Sequence, residues 1–364
     1  MRIGLYSPFL ADNIGGGERY LLTVAECLLP QHQVDLIIPA NQGYQPKKLK
    51  HHFINAFNLK LDKLNIIPGP FGPDFSRQDR KTLTRQYDSF YYMTDGSFFI
   101  SKAKHNAVHF MIPFNHAPGF FQRLKLKSWH IKTANSHFTK QSLEKNWRLK
   151  IDYVHWGAVN PQDFKPLPKK NLILHVGRFF SPRANKHCKR QDFLVDTFIK
   201  MVKQGLKGWR LVFNGPVDKG KDNLQYLTKV KRLAKGYPII FNTQASFKTL
   251  QKNYGQAKIY WHATGHGINP IANPQAVEHL GLSTIEAMSA GAVPIVINKG
   301  GQPEIVTHAI NGLLWQTQPE LINHTLEVIQ NYALWNKLST RAQTRTKDFS
   351  KQKFCQMTKK IFNL

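Results

Sequence analysis

Cysteine and long apolar runs are both scarce in this sequence. The three cysteines, Cys27, Cys188 and Cys355, lie far apart and form no Cys-x-x-Cys pair. Their spacing predicts neither a disulfide framework nor a zinc site, and it favours a reducing compartment. No stretch approaches the roughly 18 uninterrupted apolar residues of a membrane-spanning helix, and the apolar run before Pro8 is too short for a signal peptide. We therefore expect a soluble, cytoplasmic protein.

Acidic residues are also few. The chain has 22 Asp and Glu against 51 Lys and Arg, which gives a formal net charge of +29. Such an excess attracts anions such as phosphates, nucleic acid and acidic lipids. A nucleic-acid-binding protein would pair a basic face with a recognisable module, and no zinc finger, RNP-type aromatic motif or helix-turn-helix signature is present. We therefore do not expect a nucleic-acid partner and interpret much of the charge as solvated surface.

The chain length and the order of its predicted elements indicate two α/β domains. A chain of 364 residues, 41% of them hydrophobic, can bury a sizeable core but exceeds one ordinary domain. The pattern in residues 2–38 predicts strand, glycine loop, helix and strand, the start of a doubly wound parallel sheet. The pattern restarts with a buried strand at residues 172–176, after a proline-rich stretch at 161–168. Residues 41–80 are interpreted as irregular.

The glycine loop Gly15–Gly17 lies where the first predicted helix begins. Its spacing lacks the Gly-x-Gly-x-x-Gly pattern of a dinucleotide-binding site, and Asp35 alone is weak evidence for ribose binding. Glycines at a helix N-terminus can contact a ligand, and a simple tight turn is the alternative.

The segment 278–291 carries the clearest chemical pattern in the chain. It predicts a turn at Gly281, a short helix capped by Ser283 or Thr284, and an end to that helix at Gly291. The first-turn amides of such a helix and its dipole form a site where a phosphate can bind without a dedicated cation.

Two carboxylates bracket this predicted anion site. Glu278 precedes the helix, and Glu286 is placed on its first turn, so both side chains could face a ligand held at the amides. The alternative is a capping box, in which Glu286 folds back toward Ser283 at the start of its own helix and binds nothing else.

The Glu-x7-Glu spacing resembles the donor-binding segment of retaining family 4 glycosyltransferases, together with the Gly-Gly-Gln-Pro-Glu-Ile-Val run at 300–306 and the Asn-Gly pair at 311–312. The resemblance covers nearly the whole chain and is strongest in residues 172–198 and 278–314. Its overall pattern is similar to that of mannosyltransferases acting on lipid-linked oligosaccharides, although the sequence does not define the donor, the sugar or the acceptor. It implies a GT-B fold, that is, two doubly wound Rossmann-like domains facing a central cleft. Residues 1–165 would bind the acceptor and 166–345 the nucleotide sugar. Residues 346–364 would form a helix that crosses back to the first domain.

The same resemblance implies a reaction and a set of site residues. A hexosyl group would move from a nucleotide-diphosphate sugar to a glycan or lipid-linked acceptor, with retention and with no metal or other cofactor. The implied catalytic residues are Glu278, Lys189, Arg178 and His109. The implied donor-binding residues are Gly16, Gly17, Arg178, Lys189, Leu282, Ser283 and Glu286.

Within this assignment, Arg178 and Lys189 would clamp the diphosphate, Glu286 would hold the ribose and Glu278 the transferred sugar. The chain departs from the family at Arg190, where Gly is common, and in the long loop 181–188.

Several histidines allow alternative interpretations. His109 resembles a family position beside the transferred sugar, but a lone histidine at the end of a strand is commonly structural, and His116 is a weaker candidate. His262, His266 and His279 could suggest zinc, but no cysteine or carboxylate lies at ligand spacing, and no metal site is predicted.

A short stretch at residues 119–127 mixes aromatic residues and leucines with three cations, Arg123, Lys125 and Lys127. This mixture is typical of a peripheral contact with an anionic membrane surface. The alternative is an ordinary amphipathic helix that packs Phe120, Phe121 and Leu124 inward.

Two other functions remain open at this point. One is a sugar-nucleotide epimerase with the same fold, and the other is a non-catalytic protein that binds carbohydrate or membrane.

Overall fold

The computed structural model describes residues 1–10, 15–40, 45–72, 74–182 and 187–364. The strands, in chain order, are β1 (Arg2–Tyr6), β2 (Gln33–Pro39), β3 (Asn65–Gly69), β4 (Ser89–Thr94), β5 (His105–Phe110), β6 (Ile131–Ala134), β7 (Tyr153–Val154), β8 (Lys170–Val176), β9 (Arg210–Asn214), β10 (Ile239–Asn242), β11 (Ala257–His262), β12 (Val293–Ile297) and β13 (Leu313–Trp315). The helices are α1 (Gly16–Leu28), α2 (Pro46–Phe57), α3 (Arg77–Thr84), α4 (Phe120–Leu126), α5 (His137–Trp147), α6 (Gln191–Lys203), α7 (Lys221–Leu233), α8 (Phe247–Gln256), α9 (Leu282–Ser289), α10 (Gln302–Ile305), α11 (Gln318–Gln330), α12 (Tyr332–Thr346) and α13 (Lys351–Ile361).

The chain divides into two compact units. Unit 1 comprises Met1–Ala158 together with Lys351–Leu364, and unit 2 comprises Val159–Ser350. The last helix, α13, therefore belongs to the same unit as the N-terminus.

Unit 1 is built on a parallel sheet with the strand order β3-β2-β1-β4-β5-β6-β7. Successive side chains of a strand point to opposite faces, and β4 shows the result. Phe90 and Tyr92 enter one apolar core, whereas Tyr91 and Met93 enter the other. A strand that is apolar at every position is thus explained by helices that cover both faces of the sheet.

The expectation that residues 41–80 are irregular was wrong for the described part, 45–72 and 74–80. The described part of this region contains α2, β3 and the start of α3. Helix α2 buries few of its side chains, chiefly Leu49 and Phe53, so its periodicity is weak. Strand β3 lies at the edge of the sheet and includes Pro68 and Gly69. Proline is tolerated at a sheet edge, which hides such a strand from a pattern search.

The expectation of no disulfide was also wrong, because Cys27 and Cys355 are joined. Their Cα atoms lie 5.2 Å apart, although 328 positions separate them in sequence. The bond links α1 to α13 inside unit 1. Glu26 of α1 also forms an ion pair with Lys351 at the start of α13. A pairing created by the fold of the chain ends cannot be detected from local cysteine spacing.

Unit 2 contains a second parallel sheet, with the order β10-β9-β8-β11-β12-β13. The chain moves outward from β8 to β10 and then returns to the other side of β8 with β11. The strand order therefore reverses between β8 and β11. In open parallel sheets, ligands bind beyond the carboxyl ends of the strands at this kind of switch point.

Candidate active site

The carboxyl ends of β8 and β11 carry the residues that define the candidate site in unit 2. Strand β8 continues into Gly177 and Arg178, and β11 ends at His262. The two strands are neighbours in the sheet, so these residues lie at the switch point. The loop that follows β11 leads to Glu278 and then to α9.

Lys189 and Glu278 meet at this place. The Nζ atom of Lys189 lies 2.7 Å from Oε2 of Glu278, and the side chains are 15% and 14% exposed. Burial alone would raise the pKa of Glu278, but the charge of Lys189 and a hydrogen bond from His262 outweigh it and hold that pKa well below its usual range. The carboxyl group is therefore ionised at neutral pH.

His262 is the second donor to Glu278. Its Nε2 atom lies 3.0 Å from Oε2 of Glu278 and 3.2 Å from the hydroxyl of Thr264. Burial lowers the pKa of His262, and the neighbouring Glu278 only partly offsets this. The ring is thus neutral at neutral pH, and its proton belongs on Nε2, where the acceptors are.

Two glycines hold the backbone beneath Glu278. The amide of Gly301 donates to the carbonyl oxygen of Glu278 at 2.8 Å. A Cβ atom on Gly300 would lie 2.1 Å from that same oxygen, and one on Gly301 would lie 2.3 Å from the carbonyl oxygen of His279. Any larger residue would therefore push the loop away, which explains why glycines occupy both positions.

Helix α9 begins at Leu282, and its N-cap is Gly281 with φ of +107°. The prediction that Ser283 or Thr284 caps the helix was therefore wrong. Ser283 instead accepts a hydrogen bond from Tyr260, and Thr284 donates one to the buried Gln302. The first amides of any helix have no intrahelical acceptor, so those of Leu282 and Ser283 can donate hydrogen bonds to an anion.

Glu286 lies on the second turn of α9, one turn later than predicted. Because the N-cap is Gly281, the capping box between Ser283 and Glu286 does not form. The hydroxyl of Tyr254 on α8 donates to Oε2 of Glu286 at 2.8 Å. Glu286 as a whole is 8% exposed.

Arg178 follows β8 directly and is only partly exposed. Its guanidinium group lies 3.5 Å from the carboxylate of Asp218, a long contact between half-exposed partners. The side-chain Nε2 of Gln191, at the start of α6, donates to the carbonyl oxygen of Arg178 at 3.2 Å. The backbone is thus held while the cationic head has only one weak protein partner among the contacts of the described residues.

Arg190, the departure from the family pattern, adopts the left-handed conformation at the N-cap of α6, with φ of +55°. Glycine is favoured at such a position because it has no Cβ. Arg190 here donates to the carbonyl oxygen of His266 at 2.8 Å and pairs with Asp192 at 3.1 Å. Its guanidinium group thus anchors the loop that leads to Glu278. Residues 183–186 of the long loop 181–188 lie outside the described residues.

His109 lies in unit 1 and is fully buried. Its Nδ1 atom is 2.8 Å from the hydroxyl of Thr133, and its ring stacks on Tyr20 at 4.3 Å between centroids. Burial, and then the nearby His155, lowers its pKa well below the usual value. The ring contacts other side chains of unit 1, and its proposed place beside the transferred sugar stays a prediction.

Gly16 and Gly17 form the first residues of α1, after the N-cap Gly15. Gly16 is exposed, and a Cβ on Gly17 would make an ordinary contact of 3.6 Å with Met93. Their proposed contact with the donor stays a prediction.

Sequence reasoning missed three side chains that contact the site residues. They are Tyr254, Tyr260 and His262. The sequence suggested His262 only as a metal ligand, whereas in the structure it donates a hydrogen bond to a carboxylate. All three reach the site through tertiary packing. The one local signal was the position of His262 at the end of a buried strand. In open parallel sheets, ligands bind beyond the carboxyl ends of the strands.

Comparison with known proteins gives a consistent result. The model of the family described as "Glycosyl transferases group 1" matches residues 159–345. A GDP-Man:Man(3)GlcNAc(2)-PP-Dol alpha-1,2-mannosyltransferase from Dictyostelium discoideum is 22% identical over 278 residues, which are 72% of this chain and 52% of that protein. The chain thus spans about half the length of the curated relative it matches.

Solved structures agree in fold. HepE from Anabaena in complex with UDP-glucose gives a TM-score of 0.72 at 16% identity, covering 100% of this chain and 99% of that one. Sucrose-phosphate synthase from Thermosynechococcus elongatus gives 0.71 at 16% identity, covering 100% and 98%. These similarities confirm the prediction of a GT-B fold.

Proposed function

Because the chain belongs to the group 1 glycosyltransferases, we propose that it moves a hexosyl group from a nucleotide-diphosphate sugar to a glycan or lipid-linked acceptor, with retention of anomeric configuration. The observation that supports this most is the meeting of Lys189 and Glu278 at the switch point of unit 2, directly ahead of α9. The ammonium group of Lys189 suits a phosphate, and the carboxylate of Glu278 suits sugar hydroxyls. Unit 2 would hold the donor, and unit 1 would hold the acceptor.

The leaving group explains the cationic side of the site. Breaking the bond between the anomeric carbon and the diphosphate oxygen places growing negative charge on the diphosphate. Arg178 and Lys189 would face that charge, together with the amides of Leu282 and Ser283. Fixed cations and dipoles of this kind are effective because they need no reorganisation during the reaction. We therefore propose that turnover needs no metal ion.

The two carboxylates would bind the neutral parts of the donor. Glu286 would accept hydrogen bonds from the ribose hydroxyls, since Tyr254 already orients one of its oxygens. Glu278 would accept from the transferred sugar and stabilise positive charge on its ring. These separate tasks argue against a glycosidase, in which two carboxylates act on one bond.

The identity of the donor is a further part of the proposal. The Dictyostelium relative is named as a GDP-mannose-dependent mannosyltransferase acting on a dolichol-linked glycan. GDP-mannose and a lipid-linked oligosaccharide are therefore the first pair to test, and UDP-glucose, bound by HepE in its crystal structure, is the second donor.

The experiment begins with thermal shift against nucleotide sugars. A donor at one hundred times its dissociation constant stabilises the folded state by about 2.7 kcal/mol. The stabilising donor is then incubated with acceptors in excess EDTA, and the product linkage is determined by NMR. Transfer with retention supports the proposal. Inversion, or activity that EDTA abolishes and one metal restores, contradicts it.

Two further outcomes separate the alternatives. Conversion of the donor without any acceptor would identify an epimerase. Binding of a nucleotide sugar without turnover across the acceptor panel would identify a non-catalytic protein.

A peripheral contact with an anionic membrane is also proposed, on the evidence of α4. Phe120 and Phe121 are 70% and 76% exposed, so the alternative that they pack inward is wrong. Burial, followed by the charges of Arg77 and Arg80 on α3, lowers the pKa of Lys125. Among the described residues, no helix is long and apolar enough to cross a bilayer.

The membrane proposal predicts salt-sensitive binding. Vesicles containing anionic lipid should bind the protein at 0.1 M salt and release most of it at 1 M, because the Debye length falls from about 10 Å to about 3 Å. Salt-resistant binding that is lost in Phe120→Ser would indicate insertion instead. A cytoplasmic site of action, at the inner face of the plasma membrane, fits this arrangement.

A further inference from the structure

The carboxylate of Glu278 is held from one side. Its Oε2 atom accepts from both Lys189 and His262. No hydrogen bond from the described residues reaches its Oε1 atom. One oxygen is thus fixed by the protein, and the other is left for a ligand.

The two donors to Oε2 differ in mobility. Lys189 lies at the end of a flexible four-carbon chain in the segment before α6. His262 is the last residue of β11, is 1% exposed and has only two side-chain torsion angles. A histidine placed on a central strand keeps its direction when a ligand enters, whereas the lysine can follow a new charge.

The proposed function gives Lys189 a second partner, and the inference rests on it. A diphosphate carries more negative charge than one carboxylate, so it competes for the same ammonium group. When the donor binds, Lys189 turns toward the diphosphate, and Glu278 loses its charged partner. The carboxylate would then be free to rotate unless another group held it.

We propose that His262 is the positioning residue that holds Glu278 toward the transferred sugar while Lys189 exchanges the carboxylate for the donor diphosphate. The ring donates from Nε2 to Oε2 and leaves Oε1 directed at the sugar. Because the histidine is neutral, it does not compete with Lys189 for the diphosphate. The assignment goes beyond the proposed reaction, in which Glu278 alone faces the sugar.

The surroundings of His262 keep it neutral. The groups near it are Glu278 and Thr264 on the segment that follows, His175 from β8, and Lys189 and His187 before α6. The ring of His175 lies 6.3 Å away, and its Nδ1 donates to the carbonyl of Trp261 at 3.0 Å. The Nδ1 atom of His262 has no protein partner among the described residues. The hydrogen bond to Glu278 is therefore the principal polar task of this ring.

The test compares His262→Leu with His262→Gln in the full-length chain. The amide nitrogen of glutamine can take the place of Nε2, whereas leucine fills similar space without a donor. His262→Leu should lower kcat roughly 10- to 100-fold, the usual effect of losing a group that orients a functional ligand, and His262→Gln should recover most of it. The affinity for the free nucleoside diphosphate should change less than about twofold, because that ligand lacks the sugar. His175→Leu is the matched control, with equal burial and no bond to Glu278.

A double-mutant cycle tests whether His262 affects kcat through Glu278. In a Glu278→Gln background, His262→Leu should cause less than about a threefold further loss, since the two residues act as one unit. An equal loss in both backgrounds, or an unchanged kcat in His262→Leu, would overturn the inference.

If the wild-type chain shows no turnover with any donor, the proposed function fails. A measurement that needs no turnover then tests whether His262 holds the carboxylate of Glu278. The carboxyl carbon of Glu278 is followed by ¹³C NMR as pH is lowered, with Glu278→Gln to identify the signal. His262→Leu should raise the titration midpoint of Glu278, with nucleoside diphosphate present as well as absent. An unchanged midpoint would show that His262 does not hold the carboxylate.

Discussion

The hydroxyl of Tyr254 on α8 donates a 2.8 Å hydrogen bond to Oε2 of Glu286 on α9. Tyr254 is fully buried and Glu286 is 8% exposed, so a rigid side chain from another helix fixes the direction of the carboxylate. Such support is typical of a group that must meet a ligand in one orientation.

Glu286→Gln should therefore mainly raise the Michaelis constant for the donor. The bond to ribose is the same in the ground and transition states, and losing such a bond weakens binding with little change in kcat. Steady-state kinetics and calorimetry with the free nucleotide measure this. Tyr254→Phe serves as a control that keeps the carboxylate and should have a smaller effect of the same kind. Unchanged kinetics together with lower stability would leave Glu286 a structural role only.

Lys189→Ala should mainly lower kcat. The ammonium group faces charge that grows as the bond to the diphosphate breaks, so kcat should fall about 10²- to 10³-fold, with a smaller loss of donor affinity. Lys200→Ala, on the exposed end of α6 beside Asp196, removes a similar charge away from the site and should leave kcat unchanged. Equal turnover in both variants would remove the diphosphate clamp from the proposal.

The bond between Cys27 and Cys355 should stabilise unit 1. Cys355→Ser is expected to lower the free energy of unfolding by roughly 2–4 kcal/mol under oxidising conditions, the range usual for a native disulfide. In excess dithiothreitol the wild type and the variant should unfold at the same urea concentration. Cys188→Ser, at the buried free cysteine of unit 2, is the control and should keep the wild-type dependence on reductant. A difference that persists in dithiothreitol would assign the effect to packing.

The sequence allowed the fold class to be predicted because both halves repeat buried strands and amphipathic helices at clear spacing. Lys189 and Glu278 could be assigned to one site only through the family resemblance, since 89 positions separate them, and their direct ion pair was not predicted. The supporting roles of His262 and Tyr254 could not be predicted. Each depends on which strand or helix packs beside which, and a single side chain gives no local pattern. Cys27 and Cys355 show the same limit over a longer separation.

Buried histidines, among them His155 and His175, should make both units sensitive to mild acid. Burial lowers the pKa of His155 in unit 1 and of His175 in unit 2, each to about 3. His155 accepts from Tyr20 at Nδ1, at 2.6 Å, and its Nε2 faces the carbonyl of Phe354 at 3.2 Å. This pattern fits a neutral ring in the core.

The sign of the effect follows from these pKa values. Near pH 7 both histidines are neutral in the folded and unfolded states, so this stability is fully present. Below the unfolded value of about 6.5, the unfolded chain takes up protons that the folded chain cannot bind. Stability should then fall as pH drops from about 6.5 toward 3, by up to ~1.4 kcal/mol per pH unit for each histidine.

Urea unfolding at pH 7, 6 and 5 measures this loss, in a window above the pKa of most carboxylates. His155→Phe keeps an aromatic ring in the core of unit 1 and should reduce the pH dependence of that unit, even if it lowers stability at pH 7. The remaining dependence belongs to groups such as the buried His109, whose pKa is also lowered. Lys104→Ala, an exposed surface variant of unit 1, should keep the wild-type slope. Because each unit carries one of the two histidines, a probe in unit 2 should retain its acid sensitivity in His155→Phe. A free energy of unfolding that is constant from pH 7 to 5 would mean that these rings can be protonated within the folded chain.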